Sequence, residues 1–433
     1  MKRFTALMLS LLLCLPLSAC GRTDDPEPAV SGTEAASEPG TEAFFPAVGE
    51  KQYDADFQMI GFTTPGEWYF SEGMDQTVLN DAVYDMNKRV SDRLGVRLLY
   101  EHIQTNDVQS QMYDRVYPTV ASGDDAYQLC IMHAYRSYNA FLSENAAYDF
   151  YQLDSLDLDQ SYWNSRVIDS LSVNDKAYIA LGALCQYSLN VLFANKDRLK
   201  DVQRGVPYDK VRDGSWTLDE FISLTEGLYS DANGDGRRTS GDAFGFAGIW
   251  DANGGAMLQA SDIYVLTRNE DDRFDLSLEG ERLTDFYGKL YAWSRDESVL
   301  LWTYNASDNS DKILPFMENR SWFTLENLGT QFLAADFDVG ILPLPKYDAI
   351  QENYAHVNWG NNLLVPASIR DPQMVGDVLE LMAFYSETVV QEAYYDTVLQ
   401  YRVSNAPDDR EMVRLIYDTV VYDPGIAFCD GNN

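Results

Sequence analysis

The fold is decided by residues 59–100, MIGFTTPGEWYFSEGMDQTVLNDAVYDMNKRVSDRLGVRLLY. The apolar stretch 59–62 predicts a short strand. Apolar side chains then recur at helical spacing from Leu79, and Gly95 ends this helix. The stretch 96–100 predicts the next strand. Two strands joined through a helix by short connectors form a βαβ unit, which implies a parallel sheet in an α/β fold.

Length and charge limit the kinds of partner. The chain has 433 residues, which predicts two or three domain-sized cores. It carries 68 Asp and Glu against 32 Lys and Arg, a formal net charge of −36. Nucleic acid is therefore not expected as a partner, because its phosphates need Lys and Arg to displace counterions. An electrostatic grip on an anionic membrane is excluded for the same reason.

The N-terminus has the pattern of a secretion signal. A cationic start is followed by an apolar run over 6–17 and then by Ser18, Ala19 and Cys20. This run is shorter than the roughly 20 apolar residues that span a bilayer. The closing cysteine resembles the bacterial lipobox, in which the thiol is diacylated and the preceding peptide is removed.

We therefore expect residues 1–19 to be a lipoprotein signal peptide and Cys20 to carry the lipid. Residues 20–50 are expected to form a disordered tether, since they contain few large apolar side chains. The protein would then be anchored to the cell membrane by lipid alone, facing the extracellular side or the periplasm. An ordinary cleaved signal with an accidental cysteine is the alternative.

Cysteine usage is sparse, so disulfides are not expected to hold the fold together. Cys130, Cys185 and Cys429 remain besides Cys20. A bridge between Cys130 and Cys185 is one interpretation, and two buried free thiols are the favoured one.

Further patterns predict the rest of the framework. Residues 127–132 predict a third strand that ends at His133, and ligands of open α/β sheets gather beyond such strand ends. Thr217 and Glu220 have the spacing of a helix-capping box. The other predicted elements are a helix from this box to about 229, an amphipathic helix over 283–293, strands over 337–345 and 362–366, and a long helix over 372–399.

Short motifs recur in a characteristic order after the first fifty residues. They are Trp68-Tyr69-Phe70, Asn80-Asp81-Ala82-Val83-Tyr84, Asn195-Lys196-Asp197, and the stretches 216–221, 244–248, 340–348 and 351–354. In this order they resemble the extracellular solute-binding proteins of bacterial ABC importers, family 1. These are maltose-binding-like, carbohydrate-binding lipoproteins.

The resemblance implies an α/β, two-lobed, periplasmic-binding-protein-like fold of type II, with a ligand cleft between lobes that crossing hinge strands join. It implies a first lobe of residues 51–188 and 340–368, and a second of residues 189–339 and 369–433. The crossings would lie near 186–190, 339–344 and 366–371. Family members usually continue further than residue 433, so we expect the C-terminus to be either naturally short or truncated.

Sugar binding needs flat aromatic faces beside polar side chains that hydrogen-bond hydroxyl groups. The candidate ligand-binding residues are Glu67, Trp68, Tyr69, His133, Tyr135, Arg136, Trp250, Asp251, Asn253, Glu326, Asn327 and Trp359, with Asn358 and Asn361 beside the last. An arbitrary Trp or Tyr more often lies in a core. That interpretation is strongest for Trp216 and Trp293 and weakest for Trp250 and Trp359.

An acidic stretch has the spacing of a calcium loop. Its oxygen ligands would be Asp231, Asn233, Asp235, the backbone carbonyl of Arg237, and Asp242 at the twelfth position. Asp replaces the usual Glu at this last position, as in dockerin-type loops. We expect a structural Ca²⁺ that braces the second lobe, and a solvated acidic turn is the alternative.

Enzymatic motifs are poor: the sequence contains no GxSxG, HExxH or GxxxxGK pattern. We therefore expect a monomeric receptor that is not an enzyme. It would capture a carbohydrate, in particular an oligosaccharide, and deliver it to the permease subunits of an ABC transporter. A surface glycoside hydrolase and a non-transport sensor or adhesion lipoprotein remain the alternatives.

Overall fold

The computed structural model describes residues 44–49, 51–104, 108–133, 138–302, 314–328, 335–394 and 407–428. The predicted signal peptide, Cys20, most of the tether, Tyr135, Arg136 and Cys429 lie outside these ranges. The described residues from Pro46 onward form one compact unit. Among the described residues, no helix combines the length and apolar character needed to cross a membrane.

Strands and helices alternate along most of the compact unit. The strands are β1 (Ala55–Gly61), β2 (Val96–His102), β3 (Leu129–His133), β4 (Asn190–Asn195), β5 (Phe244–Ile249), β6 (Leu266–Arg268), β7 (Phe274–Leu276), β8 (Val299–Trp302), β9 (Ser321–Asn327), β10 (Val339–Leu342), β11 (His356–Val357), β12 (Asn361–Leu364) and β13 (Val420–Val421). The helices are α1 (Val78–Leu94), α2 (Val108–Ser122), α3 (Tyr138–Ser143), α4 (Ser165–Ser170), α5 (Lys196–Asp201), α6 (Tyr208–Arg212), α7 (Leu218–Thr225), α8 (Trp250–Ala260), α9 (Glu281–Ser294), α10 (Leu314–Met317), α11 (Pro372–Tyr385), α12 (Pro407–Asp418) and α13 (Pro424–Phe428).

The first sheet has the strand order β12-β3-β1-β2. Strand β1 is parallel to both β2 and β3, which confirms the predicted βαβ unit. Helix α1 ends where expected, because Gly95 takes the left-handed conformation (φ 63°) and its amide donates to the Ser91 carbonyl. Strand β12 closes the other side of this sheet and runs antiparallel to β3.

The second sheet has the order β10-β4-β9-β5-β8. Its core surrounds Phe221, whose ring lies 5.3 Å from Trp293 and 6.1 Å from Trp216 between centroids. Both indoles are buried, as predicted. Trp293 Nε1 donates to the Thr225 hydroxyl at 2.8 Å, and Trp216 Nε1 donates to the Pro343 carbonyl at 2.9 Å. A buried indole needs such a partner, so these two tryptophans are core residues.

Two local predictions about side chains are also settled. Thr217 accepts from the Glu220 amide at 3.4 Å, but the Glu220 carboxylate pairs with Lys210 at 3.1 Å, so the capping box is half formed. Cys130 and Cys185 are buried free thiols, and no bridge joins them.

The predicted lobe boundaries need correction at two places. Strand β10 pairs with β4 in the second sheet, although the prediction places residues 340–342 in the first lobe. Helix α11 packs on α1 beside the first sheet, so the chain does not cross at 366–371. Helix α12 packs on β10, so the chain returns to the second sheet after Tyr394.

The predicted long helix over 372–399 is regular only as far as Tyr385. A π-helical stretch, Ser386–Gln391, follows it, and residues 395–399 lie outside the described chain.

His356 ties the start of β11 to its surroundings from a fully buried position. Its Nε2 accepts from the Leu344 amide at 3.1 Å, so Nδ1 carries the proton and donates to the Thr419 hydroxyl at 3.0 Å. Burial lowers the pKa of His356 to about 3, and the imidazole is therefore neutral in the folded protein.

One buried ion pair fixes the return of the chain to the second sheet. Asp409, at the start of α12, has no exposed surface and accepts from Lys196 Nζ at 2.6 Å. It also accepts from the Ile341 amide of β10 at 3.0 Å and from the Tyr208 hydroxyl. The carboxylate thus exchanges water for three donors from other elements.

Replacement of Asp409 by Ala should therefore lower the free energy of unfolding by about 3 kcal/mol or more, because it leaves a cation and two donors without their partner. Urea unfolding followed by circular dichroism measures this loss. Asp56→Ala is the matched control, since it breaks an exposed pair with Arg97 of the same 2.6 Å length. Equal losses of unfolding free energy in the two variants would contradict the claim that the buried Asp409 carboxylate stabilises the fold more than the exposed Asp56 carboxylate.

Candidate ligand-binding site

Five rings line the carboxyl ends of β1, β2 and β3, and we call them the aromatic edge: Phe62, Phe70, Tyr100, His102 and His133. His133 lies 5.6 Å from Phe62 between ring centroids, and Tyr100 lies 6.0 Å from Phe70 and 6.4 Å from His102. All five keep part of their surface exposed. The ring planes of Tyr100 and His102 are nearly parallel, at 18° to each other.

The backbone of β1 holds this edge in place. The Tyr100 hydroxyl donates to the Thr63 carbonyl at 2.8 Å, and His102 Nε2 lies 3.2 Å from the Phe62 carbonyl. Burial raises the pKa of Tyr100, so its phenol stays a neutral donor. The Tyr100 ring can lie across β1 only because Gly61 has no side chain: a Cβ there would stand 2.7 Å from the hydroxyl.

Two chain segments cross side by side between the sheets, and we call them the crossing: residues 186–190 and residues 358–361. The Trp359 amide donates to the Ser188 carbonyl at 2.9 Å, and the Asn361 amide donates to the Gln186 carbonyl at 3.0 Å. The backbones approach so closely that a Cβ on Gly360 would lie 2.0 Å from the Gln186 carbonyl oxygen. The first predicted crossing is therefore present.

Asn358 and Asn361 hold the crossing together from buried positions. Asn358 Oδ1 accepts from the amides of Ser188 at 3.0 Å and Gly360 at 2.8 Å. Asn361 Nδ2 donates to Thr63 Oγ1 at 2.9 Å and so connects the crossing to the end of β1. These side-chain atoms bond other groups of the protein, so the two asparagines position the site from within.

Several predicted residues meet around the crossing. His133 is the register partner of Asn361, so the aromatic edge begins where the crossing enters the first sheet. In the second sheet Asn327 pairs with Asn190, and its side-chain amide donates to the Ser188 hydroxyl. Glu326, Asn327 and Trp359 are half-buried, and Glu326 and Asn327 are the last two residues of β9.

Two predicted ligand-binding aromatics lie in the core. Trp68 and Tyr69 are 2 % and 1 % exposed. Trp68 packs edge-on against Tyr394 at 5.2 Å, and the Tyr69 hydroxyl accepts from the Gln186 amide at 3.1 Å. The prediction that they face a ligand is wrong, because the loop after β1 folds back over the first sheet and buries both rings.

The remaining predicted residues are placed only in part. Glu67 is exposed on the loop after β1, directly before the buried Trp68. Trp250, Asp251 and Asn253 belong to the first turns of α8, directly after β5, while their side chains lie outside the described structure. Tyr135 and Arg136 follow the end of β3 and also lie outside it.

Sequence reasoning missed four members of the aromatic edge: Phe62, Phe70, Tyr100 and His102. Tyr100 and His102 stand two residues apart at the end of β2, a spacing that puts both on one face of a strand. That alternation, followed by the end of the strand, was the signal available.

A cavity of about 980 Å³ lies apart from these residues. Its lining comes from α4, from the region of β6, and from residues 350–355 and 421–424, and includes Arg166, Tyr264, Arg268, Tyr354 and Tyr422. Arg268 spans it, donating to the carbonyls of Asp169 at 2.8 Å and of Ser172. None of the predicted ligand-binding residues whose side chains the structure describes lines this cavity.

Within the described ranges, no three His, Cys, Asp or Glu side chains form a group that could hold a metal ion. The predicted calcium loop lies between α7 and β5 at the far end of that strand from Trp250. A metal at this loop would be remote from the aromatic edge in the chain.

Two sheets joined by paired crossing segments, with strand ends converging beside them, define a two-lobed α/β fold of the type II periplasmic-binding-protein-like class. Solved structures share this fold. An ABC substrate-binding protein from Listeria monocytogenes in complex with cycloalternan matches with a TM-score of 0.53 and 14 % identity, over 86 % of this chain and 89 % of that one. The GacH receptor of Streptomyces glaucescens, solved unliganded and with acarbose, matches with a TM-score of 0.53 and 15 % identity, over 86 % of this chain and 88 % of that one.

A third similar structure is the maltose/maltodextrin-binding domain MalE from Bdellovibrio bacteriovorus bound to maltotriose. Its TM-score is 0.51 at 13 % identity, over 85 % of this chain and 88 % of that one. No protein-family model and no curated protein matches the sequence. The likeness thus lies in the fold rather than in the residues.

Gly61→Ala should disturb the aromatic edge, since the new Cβ would meet the Tyr100 hydroxyl at 2.7 Å and Ile131 Cβ at 3.0 Å. We expect a loss of about 1–3 kcal/mol in unfolding free energy, as for other overpacked positions. Urea unfolding measures it. Gly73→Ala is the control, because nothing lies within 4 Å of a Cβ there; an equally small effect in both variants would contradict the close packing.

Proposed function

We propose that this protein is the substrate-binding lipoprotein of a bacterial ABC importer and that it captures an oligosaccharide between its two lobes. The observation that carries the proposal is the aromatic edge, which stands at the carboxyl ends of three strands and beside the crossing. In open α/β sheets ligands bind at that position. Flat rings next to polar groups are what the apolar faces and hydroxyls of a sugar need.

The similar structures support the same class of ligand. Their descriptions include cycloalternan, maltotriose and acarbose, and another solute-binding protein of this fold, from Agrobacterium radiobacter, was solved with ribitol. These are polyhydroxylated molecules of different length, so they favour a sugar without selecting one. All are binding proteins, which favours a receptor over an enzyme.

The crossing supplies a hinge for capture. It consists of two backbone segments held by asparagine side chains, and a small change in their dihedral angles would move one sheet relative to the other. A sugar that touches the aromatic edge and the polar end of β9 at once would favour the closed arrangement through its extra contacts there. The monomer is sufficient for this mechanism.

Sugar binding should be tested on the purified protein by isothermal titration with maltotriose, cycloalternan, acarbose and ribitol, with a tripeptide and spermidine as non-sugar probes. We expect at least one sugar to bind. His133→Ala and Trp359→Ala should each weaken that binding about five- to tenfold, since each removes a ring worth on the order of 1–1.5 kcal/mol.

Tyr264→Ala is the matched control, because it removes a ring from the 980 Å³ cavity and leaves the aromatic edge intact. Loss of binding only in Tyr264→Ala would move the site to that cavity. Binding of the tripeptide or spermidine in place of any sugar would refute the carbohydrate ligand. Release of reducing sugar on incubation would instead favour a glycoside hydrolase.

We further propose that diacylated Cys20 holds the receptor on the outer face of the cell membrane, within reach of the permease subunits. Support comes from the short apolar run and the cysteine that closes it. One acyl chain binds a membrane only marginally, whereas two give a stable anchor. The lipid would raise the effective concentration of the receptor at its transporter.

Expression in a bacterium that processes lipoproteins tests this anchor. The wild-type protein should fractionate with membranes and gain the mass of a diacylglycerol on Cys20, while Cys20→Ser should be released or remain unprocessed. Cys429→Ser is the control and should behave as wild type. A wild-type protein recovered without lipid would overturn the anchor and leave an ordinary secretion signal.

A further inference from the structure

The loop between α7 and β5 is closed on itself at both ends. Ser230 and Ala243 exchange backbone hydrogen bonds of 3.1 and 3.0 Å, so residues 231–242 form a closed turn. Gly234 and Gly236 both have φ of 71°, a left-handed conformation that favours glycine. The backbone can therefore wind tightly around its own centre.

The oxygen-bearing side chains of this turn point inward to its own amides. Asp231 accepts from the amides of Gly234 at 2.7 Å and Gly236 at 2.9 Å. Asn233 Oδ1 accepts from the Asp235 amide at 2.9 Å, and Asp235 Oδ1 accepts from the Arg237 amide at 2.7 Å. Such contacts also occur in plain acidic turns, so they do not identify a ligand.

Asp242, at the end of the turn, gives separate evidence for a ligand, since one of its carboxylate oxygens is buried without a hydrogen bond. It has no exposed surface, and its Oδ2 accepts from the Thr239 amide at 2.7 Å and the Tyr229 hydroxyl at 3.2 Å. Its Oδ1 is buried and has no hydrogen-bond partner among the described residues. The backbone amides of Ala232 and Asn233 are also directed at this carboxylate, without reaching Oδ1 in hydrogen-bond geometry.

Oδ2 is satisfied, but Oδ1 has left water without a hydrogen bond in return, which is unfavourable for a buried carboxylate oxygen. The neighbouring arginines do not compensate it. Arg320 donates to the backbone carbonyls of Ser240 and Asp242 and to Glu318, and Arg238 donates to the carbonyls of Glu297 and Val299. Within the described chain, no salt bridge reaches the Asp242 carboxylate.

We propose that residues 231–242 bind one Ca²⁺ through Asp231, Asn233, Asp235, the backbone carbonyl of Arg237, and Asp242. The ion supplies the positive charge that the buried Oδ1 lacks. Hard oxygen ligands at alternate positions, a glycine at the sharp turn and a carboxylate at the twelfth position match the geometry that Ca²⁺ prefers. Mg²⁺ fits less well, since it demands a rigid octahedron and keeps its water.

Binding requires a local rearrangement. The three carboxylates are not gathered as a metal site, and Asp231 and Asp235 are bonded to backbone amides. They must turn from those amides toward the ion, while the glycines keep the backbone in place. The ion then joins the end of α7 to the start of β5 and so stabilises the second sheet.

The full-length protein, dialysed against a chelator and then titrated with Ca²⁺, tests this site without any sugar. We expect a saturable rise in melting temperature of about 3 °C or more, and no comparable rise with Mg²⁺ at the same concentration. Tb³⁺ should give luminescence excited through Tyr229, whose hydroxyl touches Asp242, and Ca²⁺ should quench it by displacement.

Asp242→Asn and Asp235→Asn should abolish both responses. Asp271→Asn, an exposed acid on the β6–β7 turn, is the control and should respond as wild type. Should Asp242→Asn fail to fold, Asp235→Asn decides, because its side chain is exposed. A wild-type protein indifferent to Ca²⁺ by both measurements, or ligand variants that respond as wild type, would overturn the site and leave sugar binding untouched.

Discussion

The antiparallel contact between residues 186–190 and 358–361 is the constraint on which the molecule depends. The Asn358 side chain accepts hydrogen bonds from the amides of Ser188 and Gly360. It therefore connects two segments that are 170 residues apart in the chain. Gly360 permits the approach because a side chain there would collide with the Gln186 carbonyl. Strand β4 of the second sheet begins at Asn190 and strand β12 of the first sheet begins at Asn361, so one strand of each sheet leaves this contact.

The aromatic edge follows from the same contact. Asn361 continues the crossing into β12, pairs with His133 across the first sheet, and donates to Thr63 at the end of β1. Thr63 in turn offers its carbonyl to the Tyr100 hydroxyl. A chain of hydrogen bonds therefore runs from the hinge to the rings that would touch a sugar, and motion at the crossing would be transmitted to them through contacts that are already made.

Sequence patterns predicted what is local and missed what depends on distant partners. Helix α1 and its Gly95 end are set by periodicity and one backbone conformation, and both were read correctly. The position of Trp68 and Tyr69 after a strand predicts contact with a ligand, but Trp68 packs on Tyr394 and Tyr69 bonds Gln186, and no local pattern reveals these distant partners. The placement of α11 in the second lobe is wrong for a similar reason, since a helical pattern does not say which sheet the helix covers.

The same distinction explains why the two proposed sites rest on different grounds. The calcium loop is a local feature: its ligands lie within twelve residues, so spacing alone could suggest it, and the orphaned oxygen of Asp242 gives that spacing a physical reason. The aromatic edge gathers residues from three strands through register, which appears only once the strands are paired. In a chain with a net charge of −36, few Lys and Arg side chains are available to pair with a buried carboxylate. The proposed Ca²⁺ would supply a positive charge to Asp242 locally, whereas Asp409 pairs with Lys196 from a distant part of the chain.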